Sequence, residues 1–200
     1  MDLIWMGWVL GAYLLGAVPF GLLVAQLHGV RDLRQRGSCN IGATNVLRLA
    51  GKRAGIMALL LDMAKGGIPV VAARMVEGEG DLLLPAMALA AFFGHLFPIY
   101  LKFKGGKGVA TALGIHLAWV FWAGAAALLI WLGTAFLFRY SSVAALVAFA
   151  LLPVLLFFGG TQSAFYVSIV ITLLVFVRHR ANIQRLIQGQ EPKIGRKGAS

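Results

Sequence analysis

Two hundred residues, 60% of them apolar and only 12% charged, exclude an ordinary water-soluble domain, because several apolar runs extend past the length of a buried core helix. The formal charge of +11 does not point to nucleic acid, since the cations lie in short loops between apolar runs, where they report orientation and anionic lipid headgroups. The single cysteine, Cys39, excludes an intrachain disulfide and a thiolate cluster for zinc or iron–sulfur.

The first predicted span covers residues 3–28. It follows Asp2 and lacks the basic start and small-residue cleavage site of a signal peptide, so it is expected to be retained. Further spans follow at 54–76, 82–101, 142–158 and 162–178, with one long apolar segment from Val109 to Phe138. As a single straight helix that segment would reach about 45 Å, against roughly 30 Å of hydrocarbon. Charge parity decides how it crosses. Arg31, Arg34, Arg36, Arg48, Lys52 and Arg53 mark the first loop as cytoplasmic, Glu77, Glu79 and Asp81 the next as external, and Lys102, Lys104 and Lys107 the third as internal again. One crossing over 109–138 would then place the basic tail, with Arg178, Arg180, Arg185, Lys193, Arg196 and Lys197, outside. Two short crossings turning near His116–Trp119 keep it inside. The predicted fold is therefore an all-α polytopic membrane protein: seven transmembrane helices in one integral membrane domain, residues 1–200. The N-terminus is outside, the C-terminus cytoplasmic, and two central spans are short.

Five polar patches interrupt this pattern: GSCNIGATNVLR (37–48), LDMAKGG (61–67), GHLFPIYLKFKGGKGVAT (94–111), RYSS (139–142) and RHRANIQR (178–185). All but the second sit at predicted cytoplasmic helix ends. In LDMAKGG, Asp62 and Lys65 share a helix face inside a span, where an ionised side chain costs roughly 2.5–3.5 kcal/mol. They read equally well as a structural ion pair facing other helices or as the wall of a polar cavity. FKGGKGVAT has the glycines, the lysines Lys104 and Lys107, and the following helix N-terminus of a phosphate cradle; its plainer reading is a flexible positive-inside turn. The nucleotide-hydrolase spacing fails, because Leu101 replaces the first glycine and Gly108 follows Lys107. In the first patch, Thr44 or Asn45 is a candidate N-cap for a short helix, while Ser38, Asn40 and Arg48 suit a second anionic group. His179, Asn182 and Arg185 stand at helical spacings of three, on what is otherwise a basic interfacial helix. His95 and His116 read as structural.

No metal-ligand spacing, no H-x-x-x-x-D acyltransferase motif and no G-x-S-x-G elbow occurs, so neither a metal nor another cofactor is expected. What remains is a site rich in anion-binding groups without an obvious nucleophile. In that order, GSCNIGATNVLR, DMAKG, GHLFPIYLKFKGGKGVAT and RHRANIQRLIQGQEPK resemble the motifs of the bacterial acyl-phosphate:glycerol-3-phosphate acyltransferase family, over residues 37–193.

The resemblance implies a seven-helix enzyme of phospholipid synthesis in the bacterial cytoplasmic membrane, its active site facing the cytoplasm. It would move an acyl group from acyl phosphate to the 1-hydroxyl of sn-glycerol 3-phosphate, releasing lysophosphatidic acid and phosphate. Carried over by motif, Ser38, Arg48, Lys107, His179 and Asn182 are the catalytic or phosphate-binding residues. Asn40, Thr44, Asn45, Lys104, Gly105, Gly106, Gly108, Ser141, Ser142 and Arg185 are expected to bind substrate or phosphate. Cys39 departs from the glycine expected in this loop. Acyl phosphate is a mixed anhydride, so alignment and charge stabilisation are what an enzyme must add. The expected route is direct transfer with the donor phosphate, clamped by Lys107 and Arg48, taking the alcohol's proton; His179 is the rival base. A second class of reading is an anion or phosphate-compound transporter.

Overall fold

The computed structural model describes residues 3–31, 33–77 and 82–195, so Asp2, Glu79, Asp81, Arg196 and Lys197 lie outside the described residues. All regular structure among the described residues is helical.

The first apolar run is broken into α1 (Leu3–Ala17) and α2 (Phe20–Leu27), because Pro19 has no N–H to continue the ladder. The break exposes the carbonyl of Val18, and Lys65 Nζ donates to it at 2.8 Å. α3 (Ala43–Ala50) is a short amphipathic helix, and α4 (Lys52–Glu77) is about 39 Å long at 1.5 Å per residue. α5 (Leu83–Leu96) packs along α1 with almost nothing between the backbones: a Cβ on Gly16 would lie 2.1 Å from Ala91 O, and one on Gly94 2.3 Å from Tyr13 O. Small residues at such crossings let helices associate closely in lipid, where burial of apolar area gives no driving force.

The long apolar segment divides as expected, after Trp119, but unequally. α6 (Val109–Trp119) is about 16 Å long and α7 (Phe121–Phe138) carries the rest. α6 is short because it is enclosed in protein. It crosses α4 where a Cβ on Gly114 would meet Met63 O at 1.9 Å, and Arg74 of α4 donates to the carbonyls of Ala118 and Trp119 at 2.7 and 2.6 Å. That guanidinium satisfies acceptors that the last turn of a helix leaves open. α8 (Ser141–Gly159) and α9 (Gln162–Arg178) complete the bundle, α9 being capped by Thr161 Oγ1, which accepts from Ala164 N at 3.2 Å. α10 (Arg180–Ile187) leaves α9 at a bend of 55°. The chain then folds back: Ile194 N donates to Arg139 O at 2.6 Å, and Arg139 Nη2 to Ile194 O at 3.2 Å.

Five stretches among the described residues are long and apolar enough to cross a bilayer, Leu3–Leu27, Lys52–Val76, Leu83–Leu101, Phe121–Phe138 and Ser141–Gly159; α9 reaches that length only if α10 is counted with it across the bend, and α6 falls short by length. Large apolar side chains such as Leu129, Phe136, Phe158 and Leu173 point outward, as a lipid solvent requires.

Candidate active site

A cavity of about 270 Å³ opens among α3, α4, α6, α7 and α8 and the segment around α10. Four of the five sequence patches meet there in full or in part, and the second contributes Asp62.

The first wall is the loop before α3. Asn45 is buried and its side chain organises the loop: Oδ1 accepts from Ser38 N at 3.0 Å, and Nδ2 donates to the carbonyls of Leu33, Arg36 and Asn40 at 2.9, 3.1 and 2.9 Å. Asn40 Oδ1 accepts from Gly42 N at 3.1 Å, an Asx turn. The expected cap is thus corrected: Gly42 is the N-cap of α3 with no side-chain bond, because Asn45 is occupied by the loop and Thr44 Oγ1 lies 3.0 Å from Ser141 Oγ on α8. Asn40, Thr44 and Asn45 line the cavity while spending their polar atoms on its architecture. Cys39 has φ 55°, left-handed backbone that costs a non-glycine residue roughly 1 kcal/mol. Cys39→Gly should therefore raise the thermal midpoint by about 2–4 °C with turnover unchanged; a lower midpoint in a melting scan would contradict this.

Arg48 projects from α3 with its Nε buried and without a hydrogen-bond partner among the described residues. Burial lowers its pKa, opposed by the charge of Glu191. A desolvated guanidinium lining a cavity is a receptor for an anion.

The second wall is the glycine-rich loop, whose residues divide between those turned back onto α5 and those that face the cavity. Gly105 N donates to Leu96 O and Gly106 N to His95 O, each at 3.2 Å, so neither N–H is available to a phosphate. These positions are glycine for lack of room: a Cβ on Gly105 would lie 2.1 Å from His95 O, and one on Gly106 2.2 Å from His95 Nε2. Lys104 is exposed and lies outside the cavity lining. Lys107, Gly108, Val109 and Ala110 do line it, which turns the N-terminus of α6, with its unpaired N–H donors, toward the cavity. Lys107 Nζ donates to Asn182 Oδ1. Burial brings its pKa down to about 8; Glu191 opposes this, and Arg185, Arg178 and Arg48 add to it.

The third wall comes from the bend between α9 and α10 and the returning tail. His179 is buried with Nδ1 2.8 Å from Val175 O, which assigns the proton to Nδ1 and leaves Nε2 as an acceptor. Burial, reinforced by Lys107, lowers its pKa to about 4, so the ring is neutral. Glu191 is the residue that motif reasoning passed over. Its Oε1 accepts from Ser142 Oγ at 2.7 Å and from Asn182 Nδ2 at 2.6 Å, and its Oε2 from Arg185 Nε at 2.8 Å. Arg185, expected on phosphate, gives its Nε to this carboxylate and lies outside the cavity lining. The available signal was compositional, since Glu191 is the only acidic residue after Asp81.

At the deep side, Asp62 and His95 line the cavity, and Asp62 Oδ1 lies 2.8 Å from Lys65 Nζ. Asp62 thus serves both as one half of a structural bridge and as cavity wall, while Lys65 turns to the Val18 carbonyl outside the lining. Among the described residues, His95 Nδ1 and His116 Nε2 are buried without hydrogen-bond partners, while His116 Nδ1 lies 2.8 Å from Ala112 O. Toward α4 and α7 the lining turns apolar, with Leu47, Ile56, Leu59, Leu113, Leu128 and Trp131. One compartment therefore joins a cationic, donor-rich end to a greasy one.

Residues 6–189 match the family model described as glycerol-3-phosphate acyltransferase. Similar proteins of that name include one from Jannaschia sp. (strain CCS1), 54% identical over 92% of this chain and 90% of its own length. Another, from Dinoroseobacter shibae, is 49% identical over 94% of this chain and 92% of its own. Among solved structures, the chain is similar to PlsY (YgiH), an integral membrane glycerol 3-phosphate acyltransferase, in its glycerol 3-phosphate form: TM-score 0.91, 42% identity, 96% of each chain covered. For the lysophosphatidic acid form the TM-score is 0.89, at 40% identity over 96% of this chain and 95% of that one.

Proposed function

The chain belongs to the glycerol-3-phosphate acyltransferase family and acylates glycerol 3-phosphate as an integral membrane enzyme; on that premise we propose that its acyl donor is acyl phosphate and that the cavity described above is where transfer occurs. The observation that carries this reading is the convergence of Lys107, Arg48, Ser38 and Asn182 on one cavity that also has an apolar side. Two substrates bearing phosphate, one with a fatty tail, need such a compartment.

In this reading the donor phosphate is held by Lys107, Arg48 and the first N–H groups of α6, and its chain lies along Leu47, Ile56, Leu59 and Trp131. Ser38 and Asn182 align the 1-hydroxyl of glycerol 3-phosphate with the acyl carbon, and Ser141 and Ser142 border the acceptor. The hydroxyl oxygen bonds to the acyl carbon as the acyl–phosphate C–O bond breaks. The proton passes to the departing phosphate, so products are 1-acyl-glycerol 3-phosphate and inorganic phosphate. A mixed anhydride supplies its own leaving group, and the cations stabilise the charge that develops on it. Neutral His179, with Nε2 as acceptor, is the alternative base.

Seven crossings, counting α6 and α7 separately, form a single membrane domain in the bacterial inner membrane. The N-terminus is outside, and the site faces the cytoplasm, where the loops bearing Arg31, Arg34, Lys52, Lys102 and Arg139 concentrate positive charge.

The test uses purified protein with labelled glycerol 3-phosphate and either acyl phosphate or acyl-CoA. Product with acyl phosphate alone is expected. Product with acyl-CoA alone, or vesicle uptake of glycerol 3-phosphate without acylation, would overturn the assignment. In the same assay, loss of all turnover in His179→Ala with substrate affinity intact would transfer the base role to that ring.

A further inference from the structure

The mechanism above uses Lys107 but does not say what holds the loop that presents it. Gly105 and Gly106 have surrendered their N–H groups to the end of α5, which leaves their two carbonyl oxygens to be satisfied elsewhere. Two unpaired carbonyls within two residues of Lys107 would compete for its ammonium group and repel an arriving phosphate. Arg178, the last residue of α9, removes both: Nη2 donates to Gly105 O at 2.7 Å and Nε to Gly106 O at 2.9 Å. Its guanidinium also lies 5.8 Å from the centroid of the Phe97 ring, a contact separate from the two hydrogen bonds that hold the loop. The opposite face of the loop rests on His95, with no space for a side chain at either glycine. Arg178 also immediately precedes His179, and it is absent from the cavity lining itself.

From this geometry we propose that Arg178 is a positioning residue for the acyl transfer. It clamps the carbonyls of Gly105 and Gly106 so that Lys107 and the N-terminus of α6 are presented to phosphate, and it ties that wall of the site to the bend bearing His179 and Asn182. The inference rests on the reading that Lys107 holds the donor phosphate. The bidentate bond needs a planar fork with two N–H vectors, which lysine does not supply.

The experiment takes the full-length enzyme in lipid nanodiscs as wild type, Arg178→Gln, Arg178→Lys and Phe97→Leu. It measures the binding of inorganic phosphate, KM for acyl phosphate and for glycerol 3-phosphate, and the thermal midpoint. Arg178→Gln should weaken phosphate binding and raise KM for acyl phosphate by about tenfold or more, since misplacing a catalytic group by 1 Å costs up to about a hundredfold. KM for glycerol 3-phosphate should move much less. Arg178→Lys should fold and recover only part of the phosphate affinity, and Phe97→Leu, which keeps both hydrogen bonds, should stay near wild type. If Arg178→Gln lowers only the amount of folded enzyme, with phosphate affinity and both KM values unchanged, Arg178 is structural and the proposal is wrong. Full phosphate affinity in Arg178→Lys overturns it equally. A wild-type protein that neither binds phosphate nor uses acyl phosphate refutes the underlying reading instead, and is told apart by being independent of residue 178.

Discussion

Lys107→Met should lower kcat/KM for acyl phosphate by roughly a hundred- to a thousand-fold while the protein remains folded, because a preorganised cationic donor is lost where charge develops on the leaving phosphate. Lys107 is already held toward the cavity by Asn182 Oδ1, so little reorganisation accompanies the reaction. Its pKa of about 8 adds a pH signature in the wild type. The ammonium form is the one that binds phosphate; it predominates below about pH 8 and is lost as pH rises through that value. The free enzyme should therefore show kcat/KM for acyl phosphate falling about tenfold per unit at alkaline pH, a limb that reports the unliganded site. In Lys107→Met that limb should disappear along with most of the activity. A variant retaining more than a tenth of wild-type kcat/KM, measured on protein of unchanged thermal midpoint, would remove Lys107 from the chemistry.

The largest effect on stability is expected at the buried pair in α4. Asp62→Ala leaves Lys65, with a relative side-chain exposure of 1%, as a buried cation held by the Val18 carbonyl and facing the Phe20 ring, with no carboxylate to neutralise it. Breaking a buried pair from one side costs about 3–5 kcal/mol. Replacing both residues by apolar ones of similar size, Asp62→Leu with Lys65→Met, should restore most of that, short of about 1 kcal/mol for the bond to Val18. Denaturant titration in mixed micelles separates the three proteins. A single variant as stable as wild type, or a double variant no better than the single, would show that the bridge is not what holds α1, α2 and α4 together.

The span positions were legible because lipid imposes length and apolarity on any crossing helix, and the division of the 109–138 segment followed from charge parity alone. What parity could not see was the inequality of the two halves. α6 can stop after eleven residues because it is enclosed in protein, where Arg74, forty-four and forty-five positions earlier in sequence, satisfies its last carbonyls. The same limit applies at the site. Ser38, Arg48, Lys107 and Asn182, which line the cavity, stand out in the sequence because each sits in a polar stretch that no helix in lipid would otherwise tolerate. Gly105 and Gly106 carried the appearance of phosphate ligands, yet their spacing says nothing of where their N–H groups point, and that is decided by carbonyls at the end of α5. Glu191 and Arg178 act through partners up to 73 positions away, and only the folded chain brings these together.

The fold-back after α10 has a consequence for how the protein is made. Insertion into the bilayer proceeds from the N-terminal end, so α3 with Arg48 and the loop with Lys107 arrive before the segment that returns past Arg139 with Glu191. A half-built molecule thus lacks the Glu191 carboxylate that faces Arg48 and Lys107, and its excess of positive charge is offset in part only when that late stretch docks.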